Sequence, residues 1–214
     1  MKASHTEERN MKGMFITFEG FEGSGKSTQI NLLAGYLKKN GYPVLLLREP
    51  GSTRISEKIR AILLDKKNDF IREKTELLLY LAARAQLVEE KIIPALKQNK
   101  IVLCDRFQDA TTAYQGYGLG LDIKLIKSFG EFVAAELKPD LTILLDIKVE
   151  EGLKRRGKNK DRIEQRSLSF HRRVKEGYLK IADMERGRIK IVKVKDIPST
   201  QQEIRALVKN HLCR

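Results

Sequence analysis

The stretch GFEGSGKST, residues 20–28, narrows what this chain can fold into more than any other feature. It meets the pattern G-x-x-x-x-G-K-[ST] through Gly20, Gly25, Lys26 and Ser27. Before it lies MFITFEG (14–20), an apolar run ending at glycine that suits a buried strand. After it Ile30, Leu33, Ala34 and Leu37 fall on one helical face, and Gly41 stands where a helix would stop. A glycine loop between a strand and a helix is the setting in which this pattern binds phosphate. The glycines let the backbone turn so that several N–H groups point inward at one anion. The helix opening at Lys26 adds free N–H groups and its positive dipole end. Residues Gly20, Phe21, Glu22, Gly23, Ser24, Gly25, Lys26, Ser27 and Thr28 are therefore expected to hold the phosphates of ATP. Lys26 would neutralise the β- and γ-phosphates, and the Ser27 hydroxyl would ligate Mg²⁺. Where the last phosphate goes is left open: water, a side chain and a small molecule all remain as acceptors.

Further strands are expected at 43–47, 100–104, 140–147 and 189–194, the last at an edge. Helices are expected at 55–64, 72–97 with a break near Pro94, and 122–136, then on the basic segment after 147, and finally from Ser199 as N-cap to Asn210. Strand and helix alternate, which argues for an α/β fold with a parallel sheet covered on both faces. No repeat or linker divides the chain, so 14–214 reads as one domain after a polar tail at 1–13, with Met11 or Met14 as a possible start. That tail has no apolar core of a secretory signal, and no run approaches a membrane span. Only Cys104 and Cys213 are present, without metal spacing, which fits a reducing cytoplasm.

The net charge of +14 invites nucleic-acid binding as a reading. Much of it lies between Lys154 and Lys175, beside a candidate hinge at Gly157. A basic lid over ATP near 153–164 competes there with a solvated basic face. The nucleic-acid reading lacks an aromatic-interleaved strand for stacking bases, and no nucleic-acid partner is expected.

Three clusters fall at strand ends, where ligands sit in open α/β sheets. REPGST (48–53) offers Arg48 as a phosphate clamp, with Glu49 and Pro50 shaping the turn. LLLYLAARAQ (77–86) sets Tyr80 and Arg84 on one helix face, an aromatic plate beside a guanidinium. DRFQDATTAYQG (105–116) places Asp105 where a Mg²⁺-holding carboxylate belongs and Arg106 within reach of an acceptor phosphate. Thr111, Tyr114 and Gln115 add a hydroxyl, a ring and an amide able to read a pyrimidine edge and a sugar. No general base is evident. A phosphomonoester acceptor needs none, because its oxygen is already ionised near neutral pH.

Taken in order, FITFEGFEGSGKST, REPGST, YLAARAQ, IVLCDRF, TTAYQG, PDLTILLD and DRIEQ resemble the thymidylate kinase family over nearly all the chain beyond the tail. The resemblance implies a P-loop nucleoside monophosphate kinase fold with a five-stranded parallel sheet flanked by helices, usually a homodimer. It implies transfer of phosphate from ATP to dTMP with Mg²⁺. By matching motif, Tyr80 would lie against thymine, with Arg84, Thr111 and Gln115 at its edge. Arg48 and Arg106 would hold the dTMP phosphate, Glu22 would face the deoxyribose, Tyr114 would disfavour a ribose, and Arg60 would complete the pocket. The loop lacks the basic residue some members carry at 21–24, so the catalytic cation would be Arg155 or Arg156. Ser52 and Phe107 depart from the family's usual glycine and its tyrosine or histidine, and the lid looks short. Another nucleoside monophosphate kinase and a P-loop nucleic-acid-binding switch are the competing readings.

Overall fold

The computed structural model of the protein describes residues 12–156 and 161–212. The tail expected at 1–13 therefore falls outside the described residues as far as Met11. β1 (Met14–Gly20) is buried along its whole length, as its apolar run requires. It is the central strand of a five-stranded sheet ordered β2-β3-β1-β4-β5. The others are β2 (Val44–Arg48), β3 (Ile101–Asp105), β4 (Leu141–Asp146) and β5 (Ile189–Lys193), and every pairing is parallel. The edge position expected for the strand at 189–194 is the one β5 occupies.

The pleat sorts the core into two layers. Met14, Ile16 and Phe18 pack with α1 (Lys26–Lys39) and α9 (Ile197–Leu212), whereas Phe15 faces Leu87, Val88 and Ile92 on the opposite side. Gly41 ends the first helix with φ 82°, its N–H bonded to Lys38 and that of Tyr42 to Leu37. That is a Schellman stop, available because glycine tolerates the left-handed turn.

Several boundaries differ from expectation. The helix expected over 72–97 is α3 (Glu73–Leu87), a wider π-turn at Val88–Ile92, and α4 (Ile93–Lys97). Pro94 cannot donate to the carbonyl four residues back, and the chain widens ahead of it rather than breaking at it. α2 (Arg54–Leu64) is capped by the Thr53 hydroxyl. After β3 comes α5 (Gln108–Thr111) and a second π-turn, Thr112–Gly118. α6 (Ile123–Val133) is capped by Asp122 and stops short of Glu136, because Ala135 and Glu136 take positive φ. The basic region carries α7 (Val149–Arg156) and α8 (Leu168–Met184). α9 begins at Ile197, with Asp196 rather than Ser199 as its cap: the Asp196 carboxylate accepts from the Ser199 N–H at 2.9 Å. Among the described residues no helix is long and apolar enough to cross a membrane.

Candidate active site

The parallel register brings the carboxyl ends of β1, β2 and β3 together, and a cavity of about 450 Å³ opens there. Glu22, Gly23, Gly25, Lys26, Ser27 and Thr28 line it from the loop after β1. Gly25, at φ 86°, turns the chain into α1 without a side-chain cap, leaving the helix's first N–H groups for an anion. Lys26 is 7% exposed and donates to the carbonyls of Gly20 and Phe21, each at 3.0 Å. Burial pushes its ammonium down from the ordinary lysine value, and the nearby Arg106 charge adds to this. Gly20, Phe21 and Ser24 do not line the cavity. The Phe21 ring packs against Ile147, Val149 and the His171 ring instead, so what these residues offer a phosphate is backbone.

Asp105 ends β3 beside the loop, and its Oδ2 accepts from the Ser27 hydroxyl at 3.2 Å. Its Oδ1 is buried with no hydrogen-bond partner among the described residues. A hydroxyl and a carboxylate side by side, one oxygen uncommitted, fit a hard cation such as Mg²⁺. Among the described residues no three His, Cys, Asp or Glu side chains converge, so most ligands of such an ion would be water and phosphate.

Arg106 sits at φ 71° and its N–H bonds the Phe18 carbonyl. Its guanidinium reaches Glu22 at 2.6 Å, Tyr178 at 3.0 Å and Tyr114 at 3.2 Å, and lies over the Tyr114 ring. The Tyr114 hydroxyl also donates to Glu22 at 2.9 Å. Burial works against the arginine's charge, but Glu22 and the surrounding oxygens hold its proton more firmly than usual. Behind this group lies Glu19, fully buried, accepting from the Tyr178 hydroxyl at 2.8 Å and the Phe107 N–H at 2.7 Å. Burial and then the Asp109 charge push the Glu19 carboxyl up to about 8, against the pull of Arg106.

Tyr80 and Arg84 both line the cavity. Arg84 is 1% exposed and pairs with Glu49 at 2.7 Å, the Thr111 hydroxyl at 2.6 Å and the Gln108 amide oxygen, its guanidinium over the Phe107 ring. Burial raises the Glu49 carboxyl and Arg84 partly offsets this, so Glu49 meets the cavity chiefly by orienting the arginine. Phe107, lacking a polar tip, serves as the plate beneath it. Gln115 is buried at the wall and donates to Glu76 at 2.9 Å.

Arg48, half-exposed, is held by both oxygens of Glu57, and Arg60 donates to the Pro50 carbonyl at 2.9 Å. Ser52 occupies its glycine-like position at φ 69°. Its hydroxyl accepts from the Arg48 N–H at 2.9 Å and donates to the Arg48 carbonyl at 3.2 Å, a local clip that offsets part of the strain a side chain meets there. All three of Arg48, Pro50 and Arg60 line the cavity.

The basic run divides sharply. Arg162 and Arg166 turn inward to the fully buried Glu76, at 2.7 and 2.6 Å. Arg173 donates to the Gly118 carbonyl, Lys175 pairs with Asp146, and Arg172 pairs with Glu150 at the surface. Arg155 lines the cavity while pairing with Glu151 one turn earlier. The side chain of Arg156 and residues 157–160, including the expected hinge Gly157, fall outside the described residues. The helix bearing Arg155 meets the phosphate loop at two glycines. A Cβ on Gly23 would lie 2.2 Å from the Gly152 carbonyl oxygen, and one on Gly152 2.3 Å from that of Glu22.

Glu19, Glu76, Tyr178 and Gly152 were not singled out from sequence. Glu19 had a signal, a carboxylate inside an otherwise apolar buried strand. Glu76 had another, one turn before Tyr80 and two before Arg84 on the same face. Tyr178 and Gly152 had none, since their partners are distant in sequence: Tyr178 meets Arg106 and Glu19, 72 and 159 residues away, and Gly152 meets the phosphate loop.

Because the loop suited to one nucleotide's phosphates and the arginines suited to a second anion open onto one cavity, the protein falls among the P-loop nucleoside monophosphate kinases. A family model described as thymidylate kinase matches residues 18–204. The chain belongs to the thymidylate kinase family. It is 49% identical over 204 residues to the thymidylate kinase of Thermoanaerobacter sp. (strain X514), covering 94% of this chain and all of that one. It is 54% identical over 189 residues to that of Geotalea daltonii, covering 84% of this chain and 88% of its relative. The crystal structure of thymidylate kinase from Ehrlichia chaffeensis superposes with a TM-score of 0.75 at 36% identity, covering 92% of this chain and 98% of that one.

Proposed function

We infer that this protein transfers the γ-phosphate of ATP to dTMP, giving ADP and dTDP. The observation that carries the reading is the shared cavity, in which the phosphate loop, Asp105 and Arg106 face the Tyr80, Arg84 and Gln115 group. The loop N–H groups and Lys26 would hold the donor phosphates. Ser27 and Asp105 would hold Mg²⁺, which when bound neutralises charge on the β- and γ-phosphates. Arg106, fixed by Glu22, Tyr114 and Tyr178, would present a firmly charged fork to the acceptor phosphate, helped by Arg48. Arg84 would donate to the base edge while Tyr80 packs against the ring, and Arg60 would shape the pocket near Pro50. Tyr114 and Glu22 would line the sugar's place and crowd a 2′-hydroxyl. With the acceptor oxygen already ionised, these residues supply position and charge stabilisation rather than a base. Arg155, which lines the cavity from α7, would meet charge that grows on the moving phosphoryl group.

A homodimer and a cytoplasmic setting belong to the same reading. The first is supported by Leu125, Phe129 and Phe132, exposed one and two turns apart on α6. The second is supported by Cys104, a buried free thiol whose pKa burial raises well above the ordinary value.

The test is ADP release with ATP and Mg²⁺ against dTMP, dUMP, dCMP, dGMP, AMP and no acceptor. Turnover with dTMP far above the rest is expected. Release no faster with dTMP than without acceptor would remove the base pocket from the reading and leave only a nucleotide-binding loop.

A further inference from the structure

We propose that Glu76 fixes which end of the Gln115 amide faces the pyrimidine, and so acts as a positioning residue for base selection. This rests on the reading of Gln115 as a base-edge residue given above. Glu76 is fully buried, and its Oε2 accepts from both Arg162 at 2.7 Å and Arg166 at 2.6 Å. Oε1 lies 2.9 Å from the Gln115 amide. A carboxylate clasped by two guanidinium groups meets its neighbours as an acceptor. The end of the amide that meets it must therefore be the donor, Nε2. A reversed amide would set two oxygens against each other at 2% exposure, where water cannot relieve them.

With Nε2 committed to Glu76, the carbonyl Oε1 is the end left for the cavity that Gln115 lines. An acceptor there suits the N3–H of thymine or uracil and opposes the bare N3 lone pair of cytosine. Arg84, carrying donors only, would add the same preference at the C4 carbonyl, where cytosine carries an amine. Selection against an aminopyrimidine then begins with Arg162 and Arg166, which stabilise the charge on Glu76 and never need to touch the base. The distance in sequence is large, 86 residues for one arginine and 90 for the other.

The experiment compares kcat/KM for dTMP and dCMP in the full-length protein, Glu76→Gln and Glu76→Asp. Glutamine can donate or accept, so Gln115 is free to turn, and the dTMP:dCMP ratio should fall by roughly tenfold or more. Aspartate keeps an acceptor-only group and should hold the ratio within about threefold, even at lower rates. A proportional loss for both acceptors in Glu76→Gln would mark a merely structural residue and overturn the proposal. Should that variant fail to fold, ¹⁵N-glutamine labelling of the unaltered protein decides. The Gln115 side-chain amide, assigned by its absence in Gln115→Met, should keep one proton protected from exchange with and without dTMP. Two freely exchanging protons would overturn the proposal. N3-methyl-dTMP separates the layers. Its use as readily as dTMP would sink the Gln115 reading itself, whereas its rejection alongside an unchanged ratio in Glu76→Gln would sink only the role of Glu76.

Discussion

Glu19 shows how a single buried carboxyl can shape both the site and its pH response. Its folded pKa stands near 8 against an ordinary 4.5, driven first by burial. The folded chain thus holds a proton that the unfolded chain has lost. The group's contribution to stability is fully present below about 4.5 and drains away as pH rises toward about 8. Glu19→Gln, neutral throughout, should lose less melting temperature than the parent across that window, as thermal melts in matched buffers would record; parallel curves would argue against a proton on Glu19. Arg155 carries a kinetic prediction. Its replacement by alanine should lower kcat by about 100-fold or more while leaving the KM for dTMP nearly unchanged, read by steady-state assay. Equal kcat would pass the role to Arg156. At this scale the sequence showed residue types well and partners poorly. Tyr80, Arg84, Asp105 and Arg106 were legible from motif and helical spacing. That Arg162 is a buried counter-ion was not, because nothing in a run of like charges says which member will find a carboxylate.

Between elements, the contact that matters most is the one between the phosphate loop and α7. Two glycines let backbone touch backbone, and that approach sets Arg155 at the cavity wall. Gly152→Ala would place a Cβ 2.3 Å from the Glu22 carbonyl oxygen and 2.8 Å from the Phe21 ring. Loop or helix must then yield, at a cost of about 1–3 kcal/mol. A lower melting temperature with a raised KM for ATP is expected, and an unchanged KM would mean the loop absorbs nothing. The alternation of strands and helices followed from hydrophobic pattern, since buried parallel strands read as continuous apolar runs and the helices as one-faced periods. The π-turn at Val88–Ile92 stayed hidden for the converse reason. Its apolar residues continue the α3 pattern, and only the lost donor at Pro94 hints that the register widens.

On the scale of the whole molecule, the net charge of +14 proved a poor guide to where charge acts. Several cations of the 154–175 run are spent on Glu76, Asp146, Glu150, Glu151 and the Gly118 carbonyl. What remains conspicuous at the surface is apolar, with Phe132 84% exposed on α6. If that stripe joins two copies, Phe132→Asp should shift the sedimentation of a dimer to that of a single chain with folding intact. A parent protein already sedimenting as one chain would refute the dimer. The loop–helix contact also carries a consequence for descent. Added carbon at Gly23 strikes Gly152, and added carbon at Gly152 strikes Glu22 and Phe21, so neither change makes room for the other. A lineage starting from this chain meets a stability cost at either position that a side chain at the other cannot relieve. The most constrained ground in its history should be a pair of residues that do no chemistry at all.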